Sequence, residues 1–152
     1  MAFENFAFSM LGYDTYKELG PSEIVFITPE SVETVSAPKK DMKVCSFLWV
    51  YYGFPTSDYE GRNVEEVRYA CGQAMGKSDD IKADCVCGMP DSGIGMAIGY
   101  SHTSGVPYQR AITKYTPTWP RSFTPSQQSQ RELVAKMKLI HNYSILRGKS
   151  VL

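Results

Sequence analysis

The sequence lacks an excess of charge of either sign and lacks any long apolar run. Its 152 residues carry 16 basic and 16 acidic side chains, so the formal net charge is zero. Nucleic-acid-binding proteins usually show a basic excess, which is absent here. No apolar run reaches the roughly 18 residues of a membrane helix, and the N-terminus lacks the pattern of a signal peptide. We therefore expect no nucleic-acid partner, no membrane association and a cytoplasmic location.

Metal-ligating side chains are also scarce, with two histidines and four cysteines in the chain. Neither His102 nor His141 has a partner at ligand spacing. Cys71, Cys85 and Cys87 could supply three zinc ligands, but a C-x-C pair in an apolar strand is more often part of the core. Cytoplasmic cysteines stay reduced. No paired carboxylates and no Ser-His-Asp arrangement stand out, so the sequence assigns no catalytic residue.

Two short strands are predicted near the N-terminus. Residues 23–30 form an apolar run ending at Pro29, and residues 31–36 alternate apolar and polar side chains with a period of two. Together they predict an antiparallel hairpin that turns at Pro29 and Glu30. The polar segment 37–43 is typical of a connector.

After this connector the pattern alternates strands and helices. Strands are predicted over 44–52, 83–88 and 106–112, and helices after Asn63, after the turn at 89–92 and after Thr124. Such alternation gives an α/β fold with a parallel sheet and right-handed crossovers. Residues 148–152 have the pattern of a strand that has just begun. Because strands usually run about five or six residues, the sequence suggests a truncated sheet.

The helix ends and buried faces follow from capping signals and helical spacing. Asn63 with Glu66, and Thr124 with Gln127, predict capping boxes. Gly76 and Gly105 are well placed to end the first two helices. The side chains predicted to be buried are Val64, Val67, Cys71 and Ala74 in the first helix, Ile94, Ala97 and Ile98 in the second, and Leu133, Val134, Met137 and His141 in the third.

The strongest local signal for a binding site is the run from Cys87 to Gly95, where a strand turns into a helix. Backbone N–H groups at a helix start are unpaired and the helix dipole is positive there, so an anion can bind. Ser92 can cap the helix, and Gly93 permits close approach of a ligand. The alternative is an ordinary capped helix. The spacing of Gly93, Gly95 and Gly99 does not match the dinucleotide fingerprint, and no P-loop lysine follows the strand.

A long loop predicted over residues 113–126 is the second signal. It contains three prolines, Trp119 and two cations, Lys114 and Arg121, whose charge suits phosphate. Loops of this length in compact domains are often functional lids. A solvated surface loop is the alternative.

Several ordered motifs resemble the glutamine amidophosphoribosyltransferase family. Cys45-Ser-Phe-Leu-Trp-Val-Tyr-Tyr-Gly-Phe-Pro-Thr-Ser-Asp58 resembles its C-x-F-E-Y-V-Y-F-A-R-P-D-S segment. Val86-Cys-Gly-Met-Pro-Asp-Ser-Gly-Ile-Gly-Met-Ala-Ile-Gly-Tyr100 is similar to its V-x-G-V-P-D-S-G-x-x-A-A-x-G-Y run. Shorter matches at 105–108, 121–127 and 136–139 follow in the family's order, and the resemblance covers nearly the whole chain.

The resemblance implies an α/β fold: part of the parallel sheet of a type I phosphoribosyltransferase, with flanking helices, after a short β remnant of an N-terminal-nucleophile glutaminase domain. Residues 1–42 would be the end of the glutaminase domain, and residues 43–152 the first half of the phosphoribosyltransferase domain. The family makes 5-phosphoribosylamine from phosphoribosyl pyrophosphate (PRPP) and ammonia released from glutamine, the first step of purine biosynthesis.

The resemblance also assigns residues. Asp91, Ser92, Gly93, Lys114 and Arg121 would bind PRPP, and the loop that holds the two cations would close over it. Ser92 would lie at Mg²⁺, and Cys45 matches one ligand of the [4Fe–4S] cluster found in one branch of the family. The family's N-terminal cysteine nucleophile and its acidic PRPP motif are absent from this sequence.

We therefore expect a fragment that makes no phosphoribosylamine by itself and that forms a homo-oligomer through an unpaired sheet edge. Three alternatives remain: a non-catalytic module that binds phosphate or nucleotide, a structural fragment without a ligand, and a different phosphoribosyltransferase. The segment from Cys45 to Asp58 argues against the last of these.

Overall fold

A computed structural model describes residues 1–116, 121 and 123–152. Its helices are α1 (Phe6–Met10), α2 (Val64–Ser78), α3 (Ile94–Ser104), α4 (Gln128–Lys138) and α5 (Tyr143–Leu146), and Leu48–Tyr52 forms a π-helical turn. Its strands are β1 (Ile24–Ile27), β2 (Val32–Ser36), β3 (Asp58–Tyr59), β4 (Arg62–Asn63), β5 (Ile112–Lys114) and β6 (Leu139–His141). Each consecutive pair of strands forms a small antiparallel sheet. Within the described ranges, no helix has the length and apolar character that a membrane span requires.

The predicted N-terminal hairpin is confirmed. Strands β1 and β2 pair antiparallel, and Ile27 lies opposite Val32, so the turn contains Pro29 and Glu30 as expected. The hydroxyl of Thr28 accepts a hydrogen bond from the backbone N–H of Ser31 at 2.9 Å, which stabilises the turn.

The first residues of the chain dock on the segment that precedes β3. A carboxylate oxygen of Glu4 accepts hydrogen bonds from Phe54 N at 2.9 Å and from Ser57 Oγ at 2.6 Å. Asn5 and Asp58 form a reciprocal pair, since Asn5 Oδ1 accepts from Asp58 N and Asn5 Nδ2 donates to Asp58 Oδ2. These bonds join residues that are 50 to 53 positions apart in the sequence.

The strand predicted over residues 44–52 is wrong, because Leu48–Tyr52 is a helical turn. The turn points two carbonyls at one buried cation. Arg68, 2% exposed, donates from Nε to Trp49 O at 2.8 Å and from Nη2 to Gly53 O at 2.9 Å. The aromatic side chains of this segment are typical of a strand. Its backbone conformation instead depends on hydrogen bonds to Arg68, which belongs to α2.

The predicted capping box of α2 is confirmed in its Asn63 half, while the Glu66 side chain makes no return hydrogen bond with any described residue. Asn63 Oδ1 accepts hydrogen bonds from the backbone N–H groups of Glu65 at 2.9 Å and Glu66 at 3.1 Å. The helix continues past the predicted stop at Gly76 and ends at Ser78. Gly76 is instead buried inside the helix.

The predicted buried face of α2 is partly wrong. Val64 is buried, but Val67 and Cys71 are half-buried and Ala74 is exposed. The other buried residues are Arg68, Gly72 and Gly76, at intervals of four. Two of these are glycines because α3 packs directly against the backbone of α2.

Helix α3 begins near the predicted turn and ends at Gly105, whose φ of 77° makes it a left-handed cap. Ala97 is buried as predicted, whereas Ile94 and Ile98 are only half-buried. Gly95, Gly99 and Tyr100 are buried instead. Small residues on this face permit the close approach to α2.

Three short segments lie side by side with parallel direction. Cys85 forms an isolated parallel β-bridge with Val151, and Val86 forms one with Tyr108. Residues 84–87 therefore lie between the segment that contains Tyr108 and the segment that contains Val151. Cys87 N donates to Leu152 O at 2.8 Å. These are single bridges and not the longer strands predicted at 83–88 and 106–112. The observed fold is therefore α/β with small sheets.

The C-terminal part also departs from expectation. Thr113 and Lys114 belong to strand β5 and not to a loop, and His141 belongs to β6 and not to a helix face. Helix α4 starts at Gln128, and its N-cap Gln127 makes no side-chain capping bond. The predicted capping residue Thr124 instead donates from Oγ1 to Arg121 O at 2.7 Å.

Only one side chain of the predicted α4 face is buried. Val134 is 7% exposed, whereas Leu133 and Met137 are 56% and 42% exposed. The amphipathic pattern of α4 is thus only partly used within the described residues. The tryptophan of the predicted loop, at 119, and two of its three prolines, at 117 and 120, lie outside those residues.

Candidate functional site

The turn between Cys87 and α3 is compact because it is built on glycines. We call residues 88–96 the corner. A Cβ added at Gly88 would lie 2.6 Å from Gly93 O, and one added at Gly93 would lie 2.9 Å from Met89 N and O. Gly93 N donates to Met89 O at 2.9 Å, and Ile94 N donates to Asp91 O at 3.2 Å. The peptide bond between Pro90 and Asp91 is cis. Side chains larger than hydrogen do not fit at either glycine.

The corner presents unpaired backbone donors. The N–H groups of Asp91, Ser92, Gly95 and Met96 have no hydrogen-bond acceptor among the described residues. Two of these groups belong to the first turn of α3, an eleven-residue helix whose dipole is positive at this end. An anion that reaches the corner can therefore accept several hydrogen bonds from the backbone.

The predicted capping role of Ser92 is wrong. The N-cap residue of α3 is Gly93, and no side chain caps the helix. The half-buried Ser92 makes no side-chain hydrogen bond with any described residue. Since neither the hydroxyl nor the helix start has a partner within the described part of the chain, both can serve a ligand.

Lys114 comes to the corner from β5. Its Nζ lies 2.6 Å from Asp91 Oδ2, and the two side chains are 29% and 63% exposed. Exposed ion pairs of this kind contribute little to stability, about 0–1 kcal/mol. The ammonium group can therefore leave Asp91 for a competing anion at small cost.

The other assigned residues do not join this group. The guanidinium of Arg121 lies 5.9 Å from the ring centroid of Phe123, and no hydrogen bond or ion pair joins Arg121 to the corner within the part of the chain that the structure describes. Cys45 is exposed, and its carbonyl accepts from Leu48 N at the start of the π-helical turn. The structure thus brings together Asp91, Ser92, Gly93 and Lys114.

Known amidophosphoribosyltransferases are similar to this chain in sequence and in structure. The chain is 35% identical over 152 residues to the amidophosphoribosyltransferase of Methanothermobacter thermautotrophicus and 31% identical to that of Bacillus subtilis, with 99% of this chain and 32% of each relative covered. It also matches a solved structure of glutamine PRPP amidotransferase from B. subtilis complexed with ADP and GMP. That match has a TM-score of 0.78 at 31% identity and covers 97% of this chain. No family model matches the chain.

The resemblance to the amidophosphoribosyltransferases is confirmed. A second solved structure, of the allosteric regulatory enzyme of purine biosynthesis, matches with the same TM-score of 0.78. The chain spans about a third of the length of the curated relatives that it matches, 32% in each of these cases.

The described residues offer few protein ligands for a metal ion. Among the described residues, no group of three His, Cys, Asp or Glu side chains is placed to hold a metal ion, and this includes the group of Cys71, Cys85 and Cys87. At the corner, Ser92 and Asp91 offer the hard oxygen ligands that Mg²⁺ prefers. Mg²⁺ commonly takes only one or two protein ligands and completes its coordination with substrate phosphates and water. These two residues fit such a metal only together with a phosphate ligand.

Sequence reasoning missed one charged neighbour of the corner. A Cβ added at Gly95 would lie 2.6 Å from Glu65 Oε1, so the carboxylate of Glu65 lies against the first turn of α3. Glu65 follows the N-cap of α2 and looks like an ordinary first-turn acid. Only the packing of α2 on α3 reveals its position.

Proposed function

We propose that this chain is part of an amidophosphoribosyltransferase, which makes 5-phosphoribosylamine from PRPP and ammonia derived from glutamine. Residues 1–42 would belong to the glutaminase domain and residues 43–152 to the first half of the phosphoribosyltransferase domain. The corner would bind phosphate groups of PRPP. A cytoplasmic location follows from this role in biosynthesis.

One observation carries the proposal: the N–H groups of Asp91, Ser92, Gly95 and Met96, which have no acceptor among the described residues, belong to one corner beside a lysine. Phosphate oxygens accept several hydrogen bonds at once, and charged acceptors form the stronger ones. The corner occurs in a chain of which 99% aligns with an amidophosphoribosyltransferase at 35% identity. Both facts favour PRPP over an unrelated anion.

The glycines and Ser92 of the corner, together with Lys114 and Arg121, each have a defined task in this proposal. The glycines let the phosphate approach the backbone, and the Ser92 hydroxyl faces the bound ligand. Lys114 exchanges its partner, leaving the Asp91 carboxylate for a phosphate oxygen. Mg²⁺, held by Ser92 and the substrate, would neutralise phosphate charge when bound. Arg121 would act from the loop that closes over PRPP, a closure that would exclude bulk water from the ribosyl centre.

Titration calorimetry of the purified chain with PRPP, with and without MgCl₂, tests the proposal. Lys114→Gln should weaken PRPP binding by about tenfold, because one charge-assisted contact to phosphate is lost. Lys82→Gln is the matched control. Lys82 is exposed and lines a groove formed by residues at the C-terminal ends of α2 and α3, away from the corner. Absence of PRPP binding, or equal weakening by both variants, would contradict the proposal.

We propose that this chain binds PRPP without turning it over, since no catalytic residue is assigned within it. Formation of phosphoribosylamine from PRPP and ammonia by the purified chain would contradict that part of the proposal. The [4Fe–4S] role of Cys45 stays a prediction, and iron and sulfide analysis of the purified protein would test it.

A further inference from the structure

Helices α2 and α3 lie against each other with their first turns side by side. A Cβ at Gly95 would meet Glu65, one at Gly99 would meet Tyr69, and one at Gly76 would meet Tyr100. Contacts therefore advance along both helices in the same direction, so the two helices run parallel. Their N-terminal ends, both of positive dipole, face the same side of the molecule.

Glu65 lies between these two helix starts. Both carboxylate oxygens and Cδ lie within 3.0 Å of the position of a Cβ on Gly95, beside two of the unpaired N–H groups. The carboxylate accepts no hydrogen bond from the described residues. It is half-buried, so water screens it less than a fully exposed carboxylate.

A cation that interacts electrostatically with Glu65 makes its hydrogen bonds to other groups. Arg68 is one helical turn along α2, and it donates to the carbonyls of Trp49 and Gly53. Burial lowers the pKa of Arg68, and the carboxylates of Glu65 and Glu4 act in the opposite direction. The attraction between Glu65 and Arg68 is thus electrostatic, without a hydrogen bond. Lys114 pairs with Asp91, not with Glu65.

We propose that Glu65 sets the charge selectivity of the corner. Its carboxylate repels an anion held by the amides of α3, and the repulsion grows with the charge of that anion. The corner therefore discriminates against free pyrophosphate more strongly than against inorganic phosphate, which carries less charge. This inference rests on the proposed phosphate-binding role of the corner.

The test compares inorganic phosphate and pyrophosphate, without divalent metal, in calorimetric titrations at pH 8. Glu65→Gln keeps the shape of the side chain and removes its charge. We expect pyrophosphate to bind about tenfold more tightly and phosphate about threefold more tightly, since a like charge near the anion is removed. Glu66→Gln is the matched control, because Glu66 is the adjacent first-turn acid and is exposed. It should change both affinities less than about twofold.

The dependence of anion affinity on salt concentration is a second readout. A purely structural role of Glu65 would not change this dependence. The gain in Glu65→Gln should shrink as ionic strength rises, because the Debye length falls from about 10 Å at 0.1 M to about 3 Å at 1 M. Equal effects of both substitutions, or weaker pyrophosphate binding in Glu65→Gln, would overturn the inference while leaving the phosphate site intact. Failure of the parent chain and both variants to bind either anion would refute the proposed site itself, and the inference with it.

Discussion

The close packing of α2 on α3 predicts that Gly72→Ala destabilises the protein, whereas loose packing predicts that it stabilises the protein. A Cβ added at Gly72 would lie 1.9 Å from Met96 O and 2.7 Å from Met96 C, both backbone atoms. Neither atom can rotate away, so Gly72→Ala requires α3 to move by roughly 1 Å in a close-packed interface. Overpacking of this kind costs about 1–3 kcal/mol.

The intrinsic preference of the helix acts in the opposite direction. Replacing an interior glycine by alanine favours the helix by about 1 kcal/mol, so without the clash Gly72→Ala would stabilise the protein. With a clash at the upper end of the range, we expect a net destabilisation of about 2 kcal/mol. For a chain of this size, that lowers Tm by about 4–8 °C.

Thermal unfolding followed by far-UV circular dichroism measures the effect. Gly76→Ala is the control in the same helix, since its Cβ would lie 2.9 Å from Tyr100 O and 3.2 Å from Thr103 Cβ. The smaller clash and the gain in helix preference should nearly cancel there. An increase in Tm for Gly72→Ala would refute the close packing of the two helices.

Two further perturbations test other parts of the fold. Arg68→Met should destabilise the chain by about 3 kcal/mol, because the carbonyls of Trp49 and Gly53 lose a buried charged donor; chemical denaturation that gives less than about 1 kcal/mol would contradict this role. Burial raises the pKa of Tyr59 to about 12, with the Glu4 carboxylate acting in the same direction. The folded pKa is raised, so the stabilising contribution of Tyr59 is present below pH 10 and is lost as pH rises towards 12. Burial also raises the pKa of Tyr100 and of Tyr108. The difference between the ultraviolet titrations of the parent and of Tyr59→Phe therefore isolates the Tyr59 phenol, and a difference that titrates near pH 10 would contradict its raised pKa.

The sequence predicted those features that depend on local chemistry. The Asn63 cap, the left-handed Gly105 and the β1–β2 hairpin each follow from a few neighbouring residues, and each is confirmed. The corner was found for the same reason, because a strand, a glycine turn and a helix start follow one another directly. Local chemistry predicted an anionic ligand there, and only its assignment as PRPP came from the resemblance.

The predictions that were wrong concern features that depend on residues far away in the sequence. At the π-helical turn Leu48–Tyr52, Arg68 donates hydrogen bonds to two backbone carbonyls. The sequence of the turn itself does not reveal this distant donor. The buried face of α2 contains glycines because α3 approaches its backbone, and hydrophobic spacing cannot reveal a face without large side chains. Lys114 was assigned to a loop because its strand partner β6 lies 25 or more residues further along the chain.

The unpaired amides of the corner can be observed individually in solution. We expect ¹H–¹⁵N spectra of the labelled chain, titrated with PRPP, to show their largest shifts at Asp91, Ser92, Gly95 and Met96. Shifts confined to other surfaces, such as the groove lined by His141, Tyr143, Leu146 and Arg147, would contradict a phosphate site at the start of α3.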